Sequence, residues 1–192
     1  MNLKKHLEAK DINLSTTFYT YVASFTQHLM RWNKIHNLTG AKTIADIENN
    51  IYDAVYAIKF LPEIKTAIDI GTGAGFPGMI LAFALPDTHF TLVEPLQKRS
   101  SFLQYIIGDL SLKNVTVESK KIEELEPKQT DLITSRAVTD TKLLMSLSKE
   151  FIQKDTLLLF YKGTNVKEEI DESLDYKIKE RDNRRYLLIK SK

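Results

Sequence analysis

A doubly wound α/β sheet, with a helical N-terminal extension and a closing antiparallel hairpin, is the fold class this sequence predicts. Three observations carry it. From residue 66 onward, short apolar segments of strand character alternate with helical periodicity, the pattern of a parallel sheet covered on both faces. Before Pro62 the periodicity is helical only. The first strand-like segment runs into "DIGTGAGFPG", residues 69–78, which holds four of the chain's seven glycines.

In chain order, residues 14–34 place Leu14, Phe18, Val22, Phe25, Leu29 and Trp32 at steps of three and four, which makes one helical face apolar. A second helix is expected over 43–61, with Thr43 as N-cap and Ile44, Ile47, Ile51, Val55 and Ile58 on its stripe. "TAIDI" (66–70), "HFTLVE" (89–94), "VTVE" (115–118), "DLITS" (131–135) and "TLLLFY" (156–161) read as strands. Helical stretches near 77–85, 97–109 and 139–150 lie among them. Finally, "YKIKER" and "RRYLLIK" flank Asp182 and Asn183, a turn pair that closes a hairpin. The expected organisation is an extension over 1–62 and a Rossmann-like domain over 63–192.

Composition narrows the chemistry. The chain has no cysteine, so disulfides, thiolate metal sites and a cysteine nucleophile are excluded, and no metal is expected. The first residues lack the apolar segment of a secretory signal, and no apolar run approaches the roughly 18 residues that cross a membrane. A cytoplasmic monomer without membrane contact is expected. A net charge of +2 does not announce nucleic-acid binding, so any phosphate surface must come from local clusters.

In sheets of this class, ligands bind beyond the C-terminal strand ends, where the glycine loop is expected to lie. Pro77 suits the first turn of the helix that follows. Gly73, Gly75 and Gly78 fit G-x-G-x-x-G, the dinucleotide fingerprint. Asp69, Gly71, Gly73 and Gly75 fit D-x-G-x-G-x-G, which resembles the first motif of S-adenosylmethionine-dependent methyltransferases. Glu94 ends the second strand and supplies the ribose-binding acid that both schemes expect about 20 residues on. The short segment after residue 62 leaves little room for a dehydrogenase's substrate machinery, and Asp69 at the mouth of the loop suits a cationic amino group. The methyl-donor reading is favoured; a dinucleotide-dependent oxidoreductase and a non-catalytic RNA-binding module are the alternatives.

"RWNKIHNLTG" (31–40), "GTGAGFPG" (71–78), "KR" (98–99), "SRA" (135–137) and "YKG" (161–163) occur in that order. The set resembles the bacterial small-subunit ribosomal RNA guanine-N7 methyltransferases, also called glucose-inhibited division protein B or methyltransferase G. The resemblance covers essentially the whole chain. It implies a class I S-adenosylmethionine-dependent methyltransferase fold, S-adenosylmethionine as cofactor, and 16S ribosomal RNA or the small ribosomal subunit as partner. By position it implies that Gly71 and Phe76 touch the cofactor, Glu94 holds its ribose, Ile122 and Glu123 border its adenine, and Arg136 stands at its reactive end. The chain departs from the family's H-x-x-D-S by reading "NIYDA", which keeps only Asp53, and Pro95 follows the ribose acid.

The residues permit that reaction. Carbon-5 methylation of pyrimidines needs a covalent thiolate, which is absent, and no Pro-Pro pair marks exocyclic-amine chemistry. Guanine N7 is an acceptor with a free lone pair, so no general base is required. Arg136 is the leading catalytic candidate, able to clamp a phosphate or donate to guanine O6. Asn37 is the second, and as a turn residue it suits a structural role equally. Phe76 either stacks on a base or packs under the loop. His36 is expected in solvent and Trp32 in the core. For RNA, the basic candidates are Arg31, Lys34, Lys98, Arg99 and Lys162, with Lys120–Lys121 nearby and Arg184–Arg185 farther away.

Overall fold

The computed structural model describes residues 3–171 and 173–191. Its strands are β1 (Thr66–Ile70), β2 (His89–Val93), β3 (Val115–Glu118), β4 (Leu132–Arg136), β5 (Leu157–Lys162), β6 (Tyr176–Arg181) and β7 (Arg184–Lys190). They form one sheet in the order β3-β2-β1-β4-β5-β7-β6. The first five pair in parallel, whereas β7 is antiparallel to both β5 and β6. From β1 the chain winds outward through β2 and β3, then returns to β4 on the other side. The β1–β4 seam is therefore the switch point, where loops part and leave a crevice.

Alternation along the strands divides the core. Ala67, Leu159, Tyr161 and Leu188 belong to one apolar cluster, which continues through Phe18, Phe25, Ile47 and Val55 of the N-terminal helices. Ile68, Ile70, Leu158, Phe160 and Leu187 belong to the opposite one. The helices are α1 (Leu3–Glu8), α2 (Thr16–His36), α3 (Ile44–Tyr56), α4 (Gly78–Ala84), α5 (Gln97–Asp109) and α6 (Thr141–Ser148). The strands and the hairpin stand where the sequence places them, within a residue.

Several expectations need correction. α1 was not foreseen: six residues are too few for a periodic signal, and the helix is held by burying Leu3 and Leu7. The helix expected over 43–61 ends at Tyr56 and tightens into a 3-10 turn over Ala57–Phe60, as Pro62 disfavours helical backbone at Leu61. Ile44 is exposed rather than on the buried stripe, because it occupies the first turn, ahead of the surface that α3 packs against. Pro77 is the N-cap of α4, one position before its first turn.

Thr43 begins α3 with a reciprocal cap. Its hydroxyl accepts from the Asp46 amide at 3.1 Å, and the Asp46 carboxylate accepts from the Thr43 amide at 2.9 Å. Thr43→Ala should therefore lower global stability by about 1 kcal/mol, read by urea denaturation. A change near zero would mean that packing alone fixes this helix start.

Candidate functional site

A cavity of about 600 Å³ opens at the β1–β4 seam. Its walls are the glycine loop, the segment after β2, Ile122 and Glu123, the end of β4, and the turn over Leu38, Thr39 and Gly40 after α2. Asn33 shapes that turn: its side chain donates to the Ala41 carbonyl and accepts from the Thr39 amide, both at 2.9 Å.

The loop owes its course to backbone that other residues resist. Gly71, Gly73 and Gly75 all have positive φ. A Cβ on Gly71 would stand 2.5 Å from Val138 Cγ2, so the β4 loop can close over bare main chain. Glu94, buried just past β2, accepts from the Gly73 amide and from the Leu96 amide, each at 2.9 Å. Its carboxylate thus fixes the loop while lining the cavity. Ile122 is buried and Glu123 exposed at the same wall. A glycine cradle, an acid at the end of the second strand and an apolar flank together fit an adenosyl group with a short polar tail.

Four expected site residues lie elsewhere. Asp69 is fully buried and does not line the cavity; it accepts from the Gly78 amide at 2.8 Å and the Thr134 hydroxyl at 2.7 Å. Its carboxylate braces β1 against α4 and β4 rather than meeting a ligand. Gly75 faces the core, where a Cβ would meet Met79 Cβ at 2.9 Å and Leu103 Cδ2 at 3.1 Å. Asn37 is the left-handed C-cap of α2, donating its amide to the Asn33 carbonyl, and it is exposed outside the cavity. Lys162 is not on a basic surface: its ammonium is buried against the Thr139 carbonyl at 2.9 Å and Glu169 at 2.8 Å. That charge is already neutralised.

The remaining candidates converge. Arg136 lines the cavity, 5.0 Å above the Phe76 ring. Phe76 meets Phe25 of α2 edge-on at 5.6 Å, so it is both wall and core. Arg99 donates from Nε to the Leu38 carbonyl at 3.1 Å and, with Lys121, stands at the rim. Arg31, Lys34 and Lys98 are exposed on the adjoining ends of α2 and α5. Trp32 is half-buried on Phe102 and Tyr105, and His36 is exposed beside it.

Sequence reasoning missed the partner of Arg136. Its Nη1 donates to Asn50 Oδ1 at 3.1 Å and lies 3.4 Å from Asp53 Oδ2. The same buried carboxylate receives Arg181 Nη2 at 3.1 Å, Arg184 Nε at 3.0 Å and the Tyr186 hydroxyl at 3.1 Å. The available signal was an acid amid the buried run Tyr52–Val55; no spacing rule could pair it with arginines more than 80 residues away.

Comparison with known proteins agrees with this geometry. The family model described as rRNA small subunit methyltransferase G matches residues 19–186. The ribosomal RNA small subunit methyltransferase G of Wolinella succinogenes is 46% identical, over 97% of this chain and 96% of its own. That of Aliarcobacter butzleri is 43% identical over 98% of each. Among solved structures, a mutant of MtNAS in complex with S-adenosylmethionine superposes with TM-score 0.60 at 15% identity, covering 98% of this chain and 82% of that one. M. jannaschii TYW2 in complex with AdoMet gives 0.59 at 15%, covering 73% and 74%. These two establish likeness of fold. The chain belongs to the rRNA small subunit methyltransferase G family.

The buried carboxyl of Asp69 holds its proton above the ordinary aspartate range. Burial pushes it up to about 6, against the hydrogen bonds from Thr134 and Gly78. The folded protein thus holds this proton more tightly than an unfolded aspartate near 3.9 does. The contribution is full below about pH 4 and lost as pH rises through about 6. Asn at this position can accept from Gly78 and donate to a turned Thr134 hydroxyl. Between pH 4.5 and 7.5, Asp69→Asn should gain about 2 kcal/mol on the wild type in urea denaturation. Parallel pH profiles for the two proteins would exclude Asp69 as the titrating group.

Proposed function

We propose that the chain is an S-adenosylmethionine-dependent methyltransferase acting on small-subunit (16S) ribosomal RNA, with N7 of a guanine as acceptor, as a monomer in the cytoplasm. The observation that carries the reading is the cavity, a glycine cradle and a strand-end carboxylate at the switch point of a chain of this family. S-adenosylmethionine, when bound, supplies a methyl group activated by a sulfonium. Gly71, Gly73 and Phe76 would hold it from the loop, Glu94 would accept its ribose hydroxyls, and Ile122 with Glu123 would border its adenine.

Guanine N7 carries a free lone pair, so the residues need only align it. The acids of the cavity wall are Glu94, which already accepts two amides, and Glu123; neither is needed as a base. Arg136, fixed by Asn50 and Asp53 over Phe76, directs its guanidinium at guanine O6 or a neighbouring phosphate. Alignment of this kind is worth about 7–11 kcal/mol of barrier. Arg31, Lys34 and Lys98 give the RNA a basic approach to the rim at Arg99 and Lys121.

Four measurements test this. Calorimetry should show binding of S-adenosylmethionine and none of NAD; the reverse would turn the reading to an oxidoreductase. Incubation with labelled methyl donor and small subunits should label 16S RNA at a site open to borohydride–aniline scission, which reports N7-methylguanine. Absence of label would leave a non-catalytic binder. Glu94→Ala should weaken S-adenosylmethionine binding by about 1.5–3 kcal/mol, the worth of hydrogen bonds to a charged group. Neutralising Arg31, Lys34 and Lys98 together should lower the slope of log K for RNA against log salt by about 2. An unchanged slope would misplace the basic approach.

A further inference from the structure

We propose that the three arginines gathered on Asp53 form a phosphate site for the RNA strand, beside the methyl-transfer cavity and distinct from the basic ends of α2 and α5. The proposal rests on the reading of the chain as an RNA methyltransferase. Its basis is a charge imbalance. Arg136, Arg181 and Arg184 share one carboxylate, a surplus of two positive charges. Among the described residues no second acid pairs with any of them: Glu180 pairs with Arg185 at 3.3 Å and Glu169 with Lys162 at 2.8 Å.

Hydrogen bonding shows the same excess. A carboxylate offers about four lone-pair sites, and those of Asp53 face three guanidiniums and the Tyr186 hydroxyl. The donors are not exhausted. Arg181 Nε is buried without an acceptor, and both side-chain bonds of Arg136 leave from Nη1. Burial, and repulsion by Arg184, push the Arg136 guanidinium below its ordinary value against the pull of Asp53. An added anion would relieve that repulsion.

The cluster is also reachable. Its arginine side chains keep 14%, 16% and 29% of their surface exposed, with Arg184 the most open. Arg181 Cζ lies 4.3 Å from the centre of the Tyr52 ring. Arg136 alone of the three lines the cavity, so it bridges the two places. A phosphodiester on Arg181 and Arg184 lies one side chain from the reacting base, as expected for the backbone flanking a guanine drawn into the cavity. Planar guanidinium forks are the side chains that match phosphate oxygens in pairs.

The test uses the full chain with 16S ribosomal RNA and, separately, inorganic phosphate as probes. Arg184→Gln should weaken RNA binding about tenfold and lower the salt slope by about 0.7, the single-strand value for one phosphate contact. S-adenosylmethionine affinity by calorimetry should hold, because Arg184 does not line the cavity. Arg184→Lys should keep the slope and part of the affinity. If the Gln variant does not fold, the Lys variant decides, and wild-type RNA affinity in it overturns the site. Unchanged affinity and slope in a folded Gln variant overturn it too. Inorganic phosphate binding that Arg184→Gln abolishes, with RNA binding intact, would reassign the site to free phosphate and end the proposal. Wild-type protein that methylates RNA while these variants behave normally would remove this site alone. Wild type that binds no RNA would remove the proposed function along with it.

Discussion

One buried carboxylate, Asp53, holds together parts of the chain that are remote in sequence. It draws Arg136 from the end of β4 and Arg181 and Arg184 from the hairpin onto α3. The hydroxyl of Tyr161 donates to the Ala54 carbonyl at 2.9 Å, and that of Tyr186 lies 3.1 Å from the Asp53 carbonyl. Desolvating each ion costs several kcal/mol, recovered only where partners are well placed. The members are therefore unequal. Without Asp53, three crowded cations would repel one another; without any single arginine, the carboxylate still has two. Loss of the acid would therefore cost the fold more than loss of one arginine, and the guanidiniums keep donors beyond those that Asp53 takes up.

Two other carboxylates divide the work of the glycine loop. Asp69 points inward and binds the Gly78 amide and the Thr134 hydroxyl, setting how α4 leaves the loop and how β4 lies beside β1. Glu94 stands at the cavity and binds the Gly73 amide, setting the curve of the loop itself. Between them the loop is held at the Gly73 and Gly78 amides, and Gly71 and Gly73 bring bare backbone to the cavity floor. Such a floor is preorganised, so little ordering cost remains for a ligand.

Much of this was legible in the sequence, for local reasons. "TAIDI", "VTVE" and the two arms around Asp182 and Asn183 coincide with β1, β3, β6 and β7, because strand-forming residue types and turn chemistry are written in adjacent residues. The cavity's glycines and Glu94 follow from a spacing rule tied to one supersecondary unit. Side-chain direction was not legible. Asp69 reads as a ligand acid because it precedes the loop, yet strand alternation turns it onto the face covered by α4. Lys162 reads as a basic strand end until Glu169 is seen folded back onto it. The Asp53 cluster joins three segments whose only relation is tertiary, and no periodicity encodes it.

The N-terminal helices take part in the site as well as covering the sheet. Phe25 of α2 packs on Phe76, and the turn after α2 contributes Leu38, Thr39 and Gly40 to the cavity wall. Gly75 leaves no room for a side chain between the loop, α4 and α2, since a Cβ there would stand 2.9 Å from Met79 Cβ and 3.5 Å from Phe25 Cε2. A transfer to an acceptor that needs no deprotonation gains little from an acid–base pair and much from fixed alignment. Alignment is lost with small displacements of the wall. A continuous apolar core running from α2 through Phe76 to the underside of Arg136 resists such displacement, because close-packed interiors transmit strain instead of absorbing it. The helical extension and the Asp53 cluster therefore act on the same wall from two sides, one by packing and the other by charge, and Arg136 is where the two meet.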